Sequence, residues 1–151
     1  MNSFSSLYVT AGAVTQALTT TPVKFTGFDT AGPGMELAGP GAANLSVVSV
    51  LASDYITVKA GGAYLACAHV DGSSSAAADI AITLRKGSTV IPQGRSQANF
   101  ATGSVKQTLA FTVPFTTTIA EGDVNVSLYI ESSTGVNITA IEASLTIIRL
   151  Y

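Results

Sequence analysis

Along this chain apolar residues recur at every second position. Val124, Val126, Leu128 and Ile130 alternate with Asn125, Ser127, Tyr129 and Glu131. Side chains of an extended strand point to opposite faces in turn, so this run predicts a strand with one face buried. Ile141, Ala143, Leu145 and Ile147 against Glu142, Ser144 and Thr146 predict a second. Ile80, Ile82 and Leu84 alternate with Ala81, Thr83 and Arg85, and Lys86-Gly87-Ser88 then predicts a turn into Thr89-Val90-Ile91. Leu109, Phe111, Val113 and Phe115 form a further stripe. Pro114 has no amide hydrogen for a ladder, which predicts that this strand lies at a sheet edge or leaves the sheet there. Helical periodicity is absent, and Gly12 with the Val and Thr content makes residues 6–18 extended as well. Residues 29–43, with Gly32-Pro33-Gly34 and Gly39-Pro40-Gly41, read as a long surface loop with a short extended piece at 35–37. Residues 71–78 read as an exposed, small and polar loop. Several short strands between turn signals predict an all-β antiparallel sandwich.

The 151 residues suit one domain. Only 11% of them are charged, against about 25% in ordinary globular domains. A Ser/Thr-rich β surface explains part of that deficit; the preferred reading is a subunit that hides much of its exterior in an oligomer. The net charge is −2 and the seven basic residues are scattered, which excludes the clustered cations that nucleic acid requires. Cys67 is the only cysteine, so no intramolecular disulfide or zinc set is expected. The start Met1-Asn2-Ser3-Phe4-Ser5-Ser6 lacks a basic, apolar export signal, and no apolar run is long enough for a membrane helix. The chain is therefore expected to be made soluble, without a membrane partner, and the N-x-S/T matches at Asn44, Asn125 and Asn137 to be chance.

The residues offer little chemistry. His69 is the sole histidine, expected on the outward face of its strand, and no nucleophile-elbow motif accompanies it. The nine carboxylates form no close run. Glu121-Gly122-Asp123 reads as a turn rather than a calcium loop, because a hard cation needs several oxygen ligands. The proline-containing glycine segments do not fit a phosphate cradle. No catalytic residue, metal ligand or cofactor is expected, and the chain reads as a non-enzyme.

Two segments carry a family resemblance. Gly62-Ala63-Tyr64 opens a strand after Val58-Lys59-Ala60-Gly61, and Ile119-Ala120-Glu121-Gly122-Asp123-Val124-Asn125-Val126-Ser127-Leu128 joins a turn to a strand. They resemble the paired signatures of the C1q/TNF-like jelly-roll superfamily. Thr21-Pro22-Val23-Lys24-Phe25-Thr26-Gly27-Phe28, Ile56-Thr57-Val58, His69-Val70 and Leu84-Arg85-Lys86-Gly87 follow the order of its phage-encoded branch. The hairpin asparagine usual in that branch is missing, there is no collagen-like shaft, and Ala66 and Ala68 stand where larger residues are common. The resemblance spans 20–151 and implies a TNF/C1q-like jelly roll that forms a homotrimer. It leaves residues 1–19 outside, as an N-terminal docking arm.

The function this implies is structural: a trimeric capsid decoration, or cement, protein on a phage head, made in the host cytoplasm and carried on the virion. Its partners would be itself and the major capsid protein. Tyr129, Ile148, Leu150 and Tyr151 are expected at the trimer interface, and Phe4, Leu7, Tyr8 and Val9 at the capsid. The alternative is the receptor- or glycan-binding tip of a head or tail fibre, presenting loops 29–43 and 71–78.

Overall fold

The computed structural model describes residues 3–10, 12–32, 35–36, 47–101 and 105–151. Among these described residues, thirteen strands form two sheets: β1 (Ser3–Tyr8), β2 (Val14–Leu18), β3 (Val23–Lys24), β4 (Thr30–Ala31), β5 (Met35–Glu36), β6 (Val47–Val50), β7 (Tyr55–Val58), β8 (Ala63–Ser74), β9 (Ala78–Lys86), β10 (Thr89–Phe100), β11 (Gln107–Thr116), β12 (Val124–Ser132) and β13 (Val136–Arg149). Sheet I runs β11-β8-β13-β1-β4, with β2 on β13 and β5 on β1; sheet II runs β10-β9-β12-β7-β6, with β3 on β12. All pairings are antiparallel.

The apolar stripes meet between the sheets. Ala66, Ala68, Val70, Leu109, Val113, Leu145 and Ile147 of sheet I face Ile56, Ile80, Ile82, Leu84, Val126, Leu128 and Ile130 of sheet II, all buried. The expected hairpin of β9 and β10 forms, with Gly87 at φ 58 in its turn. The Pro114 strand, β11, is an edge of sheet I as expected. Packing accounts for the Gly-x-Tyr motif. The Tyr64 ring folds back over Gly62, where a Cβ would meet it at 2.6–2.7 Å. The ring stacks on Phe115 with centroids 5.3 Å apart, and its hydroxyl donates to the Lys59 carbonyl at 2.8 Å.

Four expectations change. The described residues among 1–19 are not an arm outside the sandwich. β1 pairs with β13 from Phe4↔Ile148 to Tyr8↔Ser144, and β2 pairs with β13 from Val14↔Ala140 to Leu18↔Val136. Leu7 is fully buried, and Ser5 Oγ lies 2.5 Å from Ser49 Oγ, joining the two sheets along that side. The loop expected at 71–78 shrinks because β8 continues to Ser74. Small, polar Asp71-Gly72-Ser73-Ser74 looked like a tip, but all four pair with β13, and Asp71 and Gly72 also pair with β11. A bulge there explains Gly72, whose Cβ would lie 2.4 Å from the Thr139 carbonyl oxygen. The same bulge at Ile141 reverses the alternation of β13, so Ile138 and Ala140 are buried before it and Ala143, Leu145 and Ile147 after it. Ile141 itself is only partly buried, not the core residue its spacing suggested. Of the expected loop 29–43, β4 and β5 are extended, while 33–34 and 37–43 lie outside the described residues.

Candidate interaction surface

Strand register sets out the outward face of sheet I row by row. Pro114 pairs with Leu65, Leu65 with Ile148 and Ile148 with Phe4, so one apolar row crosses four strands. By alternation Leu150 continues this patch; it is 43% exposed, and its amide donates to the Ala63 carbonyl at 2.8 Å. The next row is small and polar: Thr112, Cys67, Thr146 and Ser6. Beyond it come Ala110, His69, Ser144 and Tyr8, then Thr108, Asp71 and Glu142. Cross-strand neighbours on one face lie about 5 Å apart, so these rows are continuous surfaces.

Because Ala110, Cys67, Thr112 and Ser144 are small, the middle of this face is a hollow of about 240 Å³. His69 lies at its side with Nδ1 2.7 Å from the Ser144 hydroxyl oxygen. The outward position expected for His69 holds, and a hydroxyl rather than a carboxylate holds its ring. Thr112 Oγ1 donates to Cys67 Sγ at 3.6 Å. Thr108 donates to Asp71, whose cross-strand neighbour is a second carboxylate, Glu142. Among the described residues no three His, Cys, Asp or Glu side chains gather in a metal-holding group.

The residues expected at one trimer interface divide between the sheets. Ile148 and Leu150 belong to the apolar patch of sheet I, and Tyr151, 79% exposed, follows them. Tyr129 is on β12, in sheet II. Its ring lies under the Arg85 guanidinium, 4.4 Å from carbon to centroid, and it pairs with Thr83 and Lys24. A single flat contact cannot use both sites, since the whole core lies between them. The expected capsid-docking set divides too. Phe4 and Tyr8 face outward on β1, whereas Leu7 and Val9 are buried in the core and offer nothing to a partner. Leu65 and Pro114 complete the apolar row without having been expected there. Their alternation was readable, but their neighbours were not.

The turn signature is structural. Thr118 and Glu121 form a reciprocal cap around the short 3-10 turn Ile119–Glu121, and Glu121 also pairs with Lys86. Asp123 accepts from Lys59 Nζ at 2.8 Å and from the Ala60 amide at 3.2 Å. Hydrogen bonds from Lys86 and the Thr118 amide lower the Glu121 pKa, and those from Lys59 and Ala60 lower that of Asp123. Both carboxylates therefore tie the end of β12 to neighbouring turns.

No family model and no curated protein matches the chain. Solved structures do. Eiger TNF from S. frugiperda superposes with a TM-score of 0.62 at 11% identity, covering 99% of this chain and 92% of that one. Murine APRIL gives 0.57 at 12% identity, covering 99% of this chain and all of that one, 100%. The likeness extends through the N-terminal strands and, at this level of identity, speaks for architecture alone. The chain has the TNF-like jelly-roll fold.

Proposed function

We propose that this chain is a non-catalytic structural subunit that assembles as a homotrimer through sheet I and decorates a phage head. The observation that carries the assembly is the apolar row Pro114, Leu65, Ile148 and Phe4, which has no covering element among the described residues. Covering what remains exposed of each large side chain is worth about 1 kcal/mol.

Symmetry constrains how copies meet. A patch that contacts its own copy gives a twofold dimer, whereas a threefold ring needs two different surfaces on each subunit. The second surface is the cleft at the β10–β11 edge, about 440 Å³, lined by Val90, Ile91, Pro92, Pro114 and Phe115 among others. Pro114 borders both surfaces, so the cleft of one copy seated on the row of the next propagates around a ring. Low charge density and the phage-like order of sequence elements support placing that ring on a capsid. There Phe4 and Tyr8 of β1 are the side chains available to the shell, and several equivalent contacts per trimer would make attachment lasting.

Light scattering on the purified chain tests the assembly: three copies of 15.3 kDa are expected, and a single-copy mass overturns it. Co-sedimentation with purified, expanded capsids tests the second part separately. A trimer that stays in the supernatant would overturn capsid decoration while leaving the assembly standing. Deleting residues 1–19 is not a suitable test, because it removes buried Leu7 and two strands of sheet I, β1 and β2.

A further inference from the structure

The outward face of sheet II holds a polar cleft of about 250 Å³ between β9, β10 and β12. Register explains it: Gln97 pairs with Ala81, and Ala81 with Glu131, so a single methyl forms the floor between two longer side chains. Arg95 Nη2 donates to Gln97 Oε1 at 2.7 Å, and Arg95 Nη1 lies 3.4 Å from Glu131 Oε1. At the other end Asn99 Nδ2 donates to Asp79 Oδ1 at 2.9 Å. These bonds hold planar side chains in place while leaving Gln97 Nε2 as a donor and further carboxylate oxygens of Asp79 and Glu131 as acceptors.

We infer that this cleft binds a neutral sugar ring. Adjacent hydroxyls of a pyranose each donate and accept, and planar amide, carboxylate and guanidinium groups match such pairs with two polar atoms apiece. Because neighbours already position those groups, little side-chain freedom is lost on binding. Two carboxylates against one guanidinium give the cleft a net charge of −1, which disfavours sulfated or uronic sugars. The same guanidinium already supplies a positive partner to Glu131. The proposed subunit contact uses the outward face of sheet I and the Val90–Pro92 end of β10, and the residues lining this cleft belong to neither. The inference does not depend on that assembly.

The test is a methyl NMR titration of the full chain, read at Ala81. The probes are neutral disaccharides of glucose, galactose, mannose and N-acetylglucosamine, with sialyllactose and calcium chloride as comparison arms. At least one neutral disaccharide is expected to shift the Ala81 methyl saturably at millimolar concentration. Gln97→Ala should weaken that binding roughly tenfold, the equivalent of one hydrogen bond worth about 1.4 kcal/mol. Ala81→Phe, followed at the Gln97 backbone amide because it lacks the methyl, should abolish binding by filling the floor. If the phenylalanine variant fails to fold, Gln97→Ala, an exposed position, decides alone. The inference is overturned if no neutral sugar shifts the methyl, if Gln97→Ala binds as the parent does, or if only sialyllactose or calcium produces a response.

Discussion

On the outward face of sheet II, Arg85 covers Tyr129, Lys24 lies 5.6 Å from the Tyr55 ring centroid, and Arg95 bridges Gln97 and Glu131. Its charged and aromatic groups are partnered by one another. Sheet I presents Pro114, Leu65, Ile148 and Phe4 in one row, beside side-chain pairs such as Ser144 with His69, Thr112 with Cys67 and Thr108 with Asp71. Both faces come from antiparallel strands of similar length, so backbone geometry does not separate them. Side-chain partnership does. A face whose long side chains already hold one another is complete in water, while an uncovered apolar row gains free energy from a second copy.

The comparison breaks most sharply with a matched pair of charge insertions. Ile148→Asp is expected to dissociate the assembly, weakening it by more than about 2 kcal/mol, because the contact would bury an unpaired charge. Tyr129→Asp should leave the mass by light scattering unchanged, since the ring lies on the other sheet. The reverse outcome would move the contact to sheet II.

The bulge opposite Gly72 decides which side chains of β13 face outward, so disturbing it tests how sheet I acquires its surface. Gly72→Ala should destabilise the fold by about 2–3 kcal/mol, because the new methyl meets backbone rather than a movable side chain. Denaturant unfolding measures this, and a midpoint equal to the parent's would count against the bulge as a fixed feature.

Acid is expected to act least, and on neither face. Glu121 and Asp123 have pKa values lowered on folding by Lys86 and the Thr118 amide, and by Lys59 and the Ala60 amide, respectively. Their contribution to stability is therefore complete above the unfolded carboxylate values and is lost as pH falls through the lower, folded ones. Unfolding midpoints of parent and of a Glu121→Gln/Asp123→Asn variant should converge below that range. A gap that stays constant down to low pH would show that these ties do not titrate as described.

Much of the fold was legible because burying one face of a strand leaves a period-two trace. β9, β12 and the second half of β13 follow it, and the Gly-x-Tyr opening marks where Tyr64 covers Gly62. Misreadings occurred where composition stood in for pairing. Asp71-Gly72-Ser73-Ser74 is polar yet belongs to strand β8, and Ser3 and Ser5 of β1 face inward beside buried Leu7. The candidate site was half legible: Ile148 and Leu150 were expected at a contact, but Leu65 and Pro114 were not.

By itself, then, the chain determined its all-β class, its alternating core, its turns and its poverty of catalytic groups, since each depends on residues near one another in sequence. Which strands lie side by side was decided only in three dimensions. That choice depends on the whole core closing at once, and it assigned Tyr129 to one face and Ile148 to the other. It also aligned Pro114, Leu65, Ile148 and Phe4, scattered between positions 4 and 148, into one row.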